Sequence, residues 1–215
     1  FNATPPNFHF ITSKLLLKKG FNLIVEKPIC MNVYQYKILK KLAIKKKLFL
    51  FENMMYFYSK QFLLFKKSLK TKKIKSFEMN FSIPNYSSQS FRKNFDSNLL
   101  LLYDVACYPL SLVSYLGYKM NHFDVHYRYK RKLLNKLTIF FKSNKIDFFI
   151  HVSFFCNYEN YVKINYIDQS SIQFDHFFYG KKIKKTNTMR SANRYNIRNS
   201  TLRDYNVFKK ILSFD

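Results

Sequence analysis

Three short segments hold residue types that could do chemistry together. Ala3-Thr4-Pro5-Pro6-Asn7-Phe8-His9 comes first, Val25-Glu26-Lys27-Pro28 follows, and Asp104-Val105-Ala106-Cys107-Tyr108-Pro109 lies far downstream. A lysine at a strand end can hydrogen-bond a reacting hydroxyl and stabilise developing negative charge. A tyrosine ordinarily titrates near about 10, and a neighbouring cation lowers that value enough for proton exchange near neutrality. Asp104 is the sole charge in the 20 residues from Leu99 to Tyr118, and it stands one helical turn before Tyr108. A buried carboxylate is seldom left unpaired, so Asp104 has either a function or a structural partner. The others have plainer readings too. Lys27 is one of 31 lysines, Tyr108 is one of 17 tyrosines and could fill a core, and His9 could be a polar residue at a helix start. His122 and His126 share a strand face with Asp124, but no cysteine or further histidine stands near them, and no metal site is expected.

The elements that must position these residues change character along the chain. Asn7 to Lys19 carries Phe8, Ile11, Leu15 and Leu16 at helical spacing, and Gly20 stands where a glycine stops a helix. Asn22 to Val25 is a short apolar strand. Asn32 caps a helix over residues 33–46 with an apolar stripe of Val33, Tyr36, Leu39 and Ala43, and Leu48 to Phe51 is a second apolar strand. Strand, helix and strand in this order predict a parallel sheet covered on both faces. Lys27 then ends one strand, and Thr4 and Pro5 follow another, where open α/β sheets bind ligands.

Further on the period becomes two. Phe77, Met79, Phe81 and Ile83 alternate with polar residues, as do Phe123 to Tyr129, Phe148 to Phe154, Val162 to Tyr166, and Ile172 with Phe174. Turn residues at 143–145, 157–160 and 168–170 separate several of these runs. The pattern predicts an antiparallel meander with one buried face, covered by a helix over 99–116. That apolar stretch is long enough for a membrane span. A central aspartate costs about 2.5–3.5 kcal/mol there, and Pro109 adds to the case for a buried core helix. Residues 181–203 are basic and polar, and Leu202 to Leu212 is read as a closing helix.

Composition narrows the function classes. Lys and Arg number 38 against 12 Asp and Glu, a formal charge of +26. Phe, Tyr, Asn, Lys and Ile, whose codons are A/T-rich, make up about half the chain, so codon bias accounts for most of that charge. The aromatics fall on alternating apolar faces and the basic residues are scattered, which argues against a specific nucleic-acid groove. Apolar residues at 47% exclude a disordered chain. With 3 glycines there is no P-loop and no complete dinucleotide fingerprint. Cys30, Cys107 and Cys156 are isolated, odd in number and free of metal-ligand spacing, which predicts a reduced, cytoplasmic protein; no membrane partner is expected.

Taken in order, the three segments and Glu52-Asn53-Met54-Met55-Tyr56 through Gln61 resemble the Gfo/Idh/MocA family of oxidoreductases. The family carries A-T-P-x-x-H, E-K-P, E-x-F-M-Y-R-F-x-P-Q and D-x-G-x-[HY] in this order. Tyr at the last position points to its glucose–fructose oxidoreductase and dihydrodiol dehydrogenase branch. The resemblance implies the C-terminal part of a Rossmann-type parallel sheet over 1–56. A largely antiparallel open-sheet domain with covering helices would follow over 57–215, for substrate and oligomerisation. An N-terminal truncation follows from the same alignment.

The implied activity is NAD- or NADP-dependent hydride transfer to or from a sugar-like hydroxyl or carbonyl carbon, in a homo-oligomer. By resemblance Thr4, Pro5, His9, Glu26 and Lys27 line the cofactor, while Lys27, Tyr108 and Asp104 are catalytic. Four departures stand out. The glycine-rich fingerprint is absent, Asn98, Leu99 and Leu100 replace a run of glycines, Ala106 replaces a glycine, and Phe57 replaces an arginine. Those changes support a second reading, a non-catalytic homologue that acts through its sheet domain in dimerisation or partner binding.

Overall fold

A computed structural model describes residues 1–84, 92, 100–130 and 132–178. It divides into two compact units, the first holding Phe1–Met54 and the second beginning at Met55. The basic run 181–203, the closing helix expected at 202–212, and Asn98 and Leu99 lie outside the described residues.

In the first unit, helix α1 (Pro6–Lys18) precedes strand β1 (Leu23–Glu26), helix α2 (Val33–Lys45) and strand β2 (Leu50–Asn53). β1 and β2 pair in parallel, and Asn2 bridges Val25 in parallel on the other edge of β1. Gly20 ends α1 at φ 90°, with the Gly20 and Phe21 N–H groups donating to Leu17 and Leu16. That is the double bond pattern a left-handed glycine permits. The Asn32 side chain accepts from the Gln35 N–H at 2.9 Å and starts α2. Leu17, Leu23, Val25, Leu39 and Ala43 form the core.

The buried face of α1 differs from the expected one. Phe8, Ile11 and Leu15 are 52%, 65% and 52% exposed, whereas His9, Ser13 and Leu17 face inward. Polar side chains occupy that face because they have partners, which removes the cost of burying them: Asn2 donates to Ser13 Oγ, and the His9 ring meets Pro28 O and Thr4 O. The sheet is not sandwiched as an all-apolar strand suggests: Leu23 and Val25 are buried, but Ile24 is 42% exposed.

The second unit has a 3-10 turn (Met55–Tyr58), helix α3 (Lys60–Ser68), strand β3 (Ile74–Ile83), a π-helical turn (Leu102–Ala106) and helix α4 (Cys107–Tyr115). Strands β4 (Phe123–Lys130), β5 (Leu133–Ser143), β6 (Ile146–Phe154), β7 (Glu159–Tyr166) and β8 (Ser171–Asp175) follow. Their order in the sheet is β4-β5-β6-β3-β7-β8. The expected meander is therefore interrupted. β3 lies between β6 and β7, parallel to β6 and antiparallel to β7.

One face carries the core: Phe77, Met79 and Phe81 of β3, Ile139 and Phe141 of β5, Phe148 and Ile150 of β6, and Val162 and Ile164 of β7. Phe148 stacks on Phe141 at 4.5 Å and on Phe77 at 5.1 Å. The π turn and α4 pack on this face against β3, as the apolar stretch predicted. Among the described residues no helix is long and apolar enough to cross a membrane. The opposite face of β3 is polar and tied across strands. Asn165 donates to Ser76 and Glu78, Asn80 donates to Glu159, and Ser153 donates to Ser82.

Truncating Phe148 to Ala should cost about 3–5 kcal/mol in urea unfolding, the usual range for a fully buried Phe. Phe149→Ala, on the half-open face, should cost about 1 kcal/mol. Equal losses would mean that the two faces are not distinguished as described.

Candidate functional site

The first unit gathers polar groups at the carboxyl ends of its parallel segments. Thr4 follows the Asn2 bridge, Glu26 and Lys27 end β1, and Glu52 and Asn53 end β2. Parallel pairing sets Val25 opposite Glu52 and Glu26 opposite Asn53. The Asn53 amide donates to Glu26 Oε1 at 2.7 Å, and the Ile29 N–H donates to Glu52 Oε1 at 2.7 Å. The Lys27–Pro28 peptide between them is cis. Burial pushes the Glu52 carboxyl above the ordinary range, while the Ile29 N–H and the charges of Lys27 and His9 pull it back. Burial likewise pushes the Cys30 thiol up to about 11, so it is no thiolate nucleophile near neutrality.

Asn2 and His9 hold the two turns that carry the candidate residues. Thr4 donates to Asn2 Oδ1 from its hydroxyl at 2.9 Å and from its N–H at 3.3 Å. His9 is 1% exposed, with Nδ1 2.7 Å from Pro28 O and Nε2 2.6 Å from Thr4 O. The ring thus meets the backbone of both turns.

In the second unit Asp104 is 6% exposed inside the π-helical turn. The Cys107 N–H closes that turn onto Leu102 O, a wide turn of the kind that recurs at functional sites. Tyr108 follows in the first turn of α4, its ring packed on Phe81 at 5.2 Å and on Tyr56 and Phe178 at 6.1 Å. Tyr56 and Ser111 share a 2.9 Å hydrogen bond, and Ser111 donates to Tyr108 O at 2.7 Å. Phe57, where the motif has an arginine, packs on Tyr56, Phe62 and Tyr115. Leu100 and Ala106, at two glycine positions of the motif, are buried.

Thr4, Pro5, His9, Glu26 and Lys27 thus share one unit, and Asp104 with Tyr108 another. Sequence reading assigned no role to Asn2, Glu52, Asn53, Tyr56 or Ser111. A carboxylate at the end of an apolar strand was the available signal for Glu52. Among the described residues no three His, Cys, Asp or Glu side chains group as a metal site would need.

Residues 2–54 match the family model described as "Oxidoreductase family, NAD-binding Rossmann fold", GFO_IDH_MocA. Over these residues the chain is similar to that family. The larger fold is shared with solved structures. KijD10, a 3-ketoreductase from Actinomadura kijaniata solved with NADP and TDP-benzene, superposes with a TM-score of 0.71 at 17% identity. The match covers 83% of this chain and 57% of KijD10. UDP-N-acetylglucosamine 3-dehydrogenase GnnA from Acidithiobacillus ferrooxidans gives 0.67 at 15% identity, covering 80% and 54%. GenD2 from gentamicin A biosynthesis, solved with NAD, gives 0.69 at 16%, covering 80% and 53%. This chain therefore spans little more than half the length of these structures. A search of curated protein sequences finds no match.

Because folding raises the Glu52 carboxyl, the folded chain holds that proton more tightly than the unfolded chain. The resulting stabilisation is whole below the ordinary carboxylate value and is lost as pH rises through the raised one. From about pH 4 upward the denaturation midpoint of the wild type should fall relative to Glu52→Gln. Glutamine keeps an oxygen for the Ile29 N–H. A pH-independent difference, or one of opposite slope, would show that burial does not dominate at this carboxyl.

Proposed function

We propose that this chain supplies the reacting end of an NAD(P)-dependent oxidoreductase acting on a sugar-like hydroxyl or carbonyl carbon. The observation that carries the reading is the position of Glu26-Lys27-Pro28. It stands at the carboxyl end of a parallel strand, inside the segment that matches the family, beside a half-buried carboxylate and an amide. Residues 1–56 serve the cofactor, and 57–215 serve substrate and oligomerisation.

The residues at these strand ends suit the nicotinamide end of the cofactor. The Thr4 hydroxyl, the Glu26 carboxylate and the Asn53 amide offer both donors and acceptors to a carboxamide-bearing ring. Thr4 and Pro5 line it, and His9 supports them. The 215 residues contain no glycine-rich turn for the diphosphate. When bound, the cofactor accepts or gives the hydride.

Lys27 hydrogen-bonds the reacting oxygen and stabilises its negative charge as the C–H bond breaks or forms. Tyr108 takes the hydroxyl proton in oxidation and returns it in reduction. Asp104 orients the substrate or Tyr108. Sugar nucleotides are the substrate class to test first, since KijD10 is solved with TDP-benzene and GnnA is named for a UDP-sugar. We read the protein as cytoplasmic, and as a homo-oligomer that pairs through the outer face of the six-stranded sheet.

In a full-length protein, Lys27→Met should lower turnover of NAD(P)H with a keto-sugar nucleotide by about 10²–10³-fold or more, with cofactor affinity unchanged. Tyr108→Phe should lower it by about 10²–10⁴-fold. Retained turnover in Lys27→Met refutes the assigned role. A folded full-length wild type that binds no nicotinamide nucleotide and reduces no sugar favours the second reading, a non-catalytic homologue. Its motivation is the buried Leu100 and Ala106 and the arginine replaced by Phe57.

A further inference from the structure

His9 is the best-enclosed titratable side chain among the described residues of the first unit, and its surroundings fix what it must do. Nδ1 faces Pro28 O at 2.7 Å and Nε2 faces Thr4 O at 2.6 Å. A carbonyl oxygen only accepts, so each bond needs a proton on the imidazole nitrogen. A neutral ring carries one N–H. Its second nitrogen would set a lone pair against a carbonyl lone pair, in a site where the ring is 1% exposed and water cannot intervene. Turning the ring over exchanges the two nitrogens without changing this count. The Glu52 carboxyl of β2 interacts electrostatically with both His9 and Lys27.

We propose that His9 is a positioning residue whose ring carries a proton on both nitrogens and ties the Thr4–Pro5 turn to the Lys27–Pro28 turn. The tie joins segments that start in different places. Thr4 follows the Asn2 bridge, Pro28 follows β1, and Ile29 is held in turn by Glu52. The Asn2 amide meanwhile holds the His9 carbonyl, so the ring is anchored from its own backbone. What the two turns are for rests on the hydride-transfer reading above. The tie itself does not.

The full chain, labelled with ¹⁵N-histidine, decides the point. Of its 5 histidines, the His9 signals are those lost in His9→Gln. Near neutral pH both His9 ring nitrogens should show N–H resonances. One bare nitrogen overturns the proposal. Hydrogen exchange adds a readout that a merely structural role would move differently. In His9→Gln, which keeps an amide donor for one carbonyl, the Thr4 and Ile29 amides should exchange about tenfold faster or more, while those of α2 change less than about twofold. Unchanged exchange at Thr4 and Ile29, or equal loss in α2, overturns the positioning role. If the variant does not fold, the ring signals of the wild type still decide. If both results hold and no nicotinamide-dependent turnover is found, the hydride-transfer reading fails and the tie stands.

Discussion

Asn2 is 2% exposed, and every hydrogen-bonding group it has is engaged. Its backbone N–H donates to Ile24 O and its backbone O accepts from Glu26 N–H, which adds a third parallel segment beside β1. Its side-chain amide donates to His9 O and Ser13 Oγ, and its side-chain oxygen takes both donors of Thr4. One residue thereby fixes the edge of the sheet, the rotation of α1 and the turn after the bridge. Everything proposed for the strand ends depends on that. The His9 face of α1 is inward only because its polar groups have partners, and only with His9 inward can its ring reach the Lys27–Pro28 turn.

The second unit holds its candidates by a different means. Where the first relies on buried polar bonds, the second relies on rings. Tyr56, Phe81, Tyr108, Phe177 and Phe178 are in mutual aromatic contact around the start of α4. Such contacts leave the Tyr108 ring little rotational freedom. The π-helical turn before it inserts a residue into the helical repeat, and Asp104 sits within that insertion. An apolar stretch with one carboxylate becomes a wall of the unit in this way.

Much of this was legible in the sequence, and the rest was hidden for physical reasons. The βαβ order could be read from Gly20, Asn32 and two short apolar runs, because caps and strand burial are local effects. The face of α1 could not, since hydropathy scores Ser13 and His9 as outward and takes no account of Asn2. β5 was hidden by a bulge. Arg128 pairs with Lys136 and Tyr129 with Leu134, so Asn135 is an extra residue that breaks the alternation. The position of β3 between β6 and β7 is a matter of distant pairing, and no residue of β3 encodes it. At the site, Lys27 and Tyr108 were visible because they sit in motifs. Glu52 and Asn2 matter through groups far off in sequence, Ile29 and His9, and only the folded chain brings those together.

The place of β3 bears on how the molecule is made. It is the first strand of the second unit to leave the ribosome, yet both of its partners come later. Until β6 and β7 have been synthesised, Phe77, Met79 and Phe81 are carried on a strand with two unpaired edges. Such a strand readily pairs with the wrong partner. The polar row on its other side, Ser76, Glu78, Asn80 and Ser82, makes a fully apolar alternative pairing costly for the nascent chain. The central strand of the sheet thus carries its own guard against premature association.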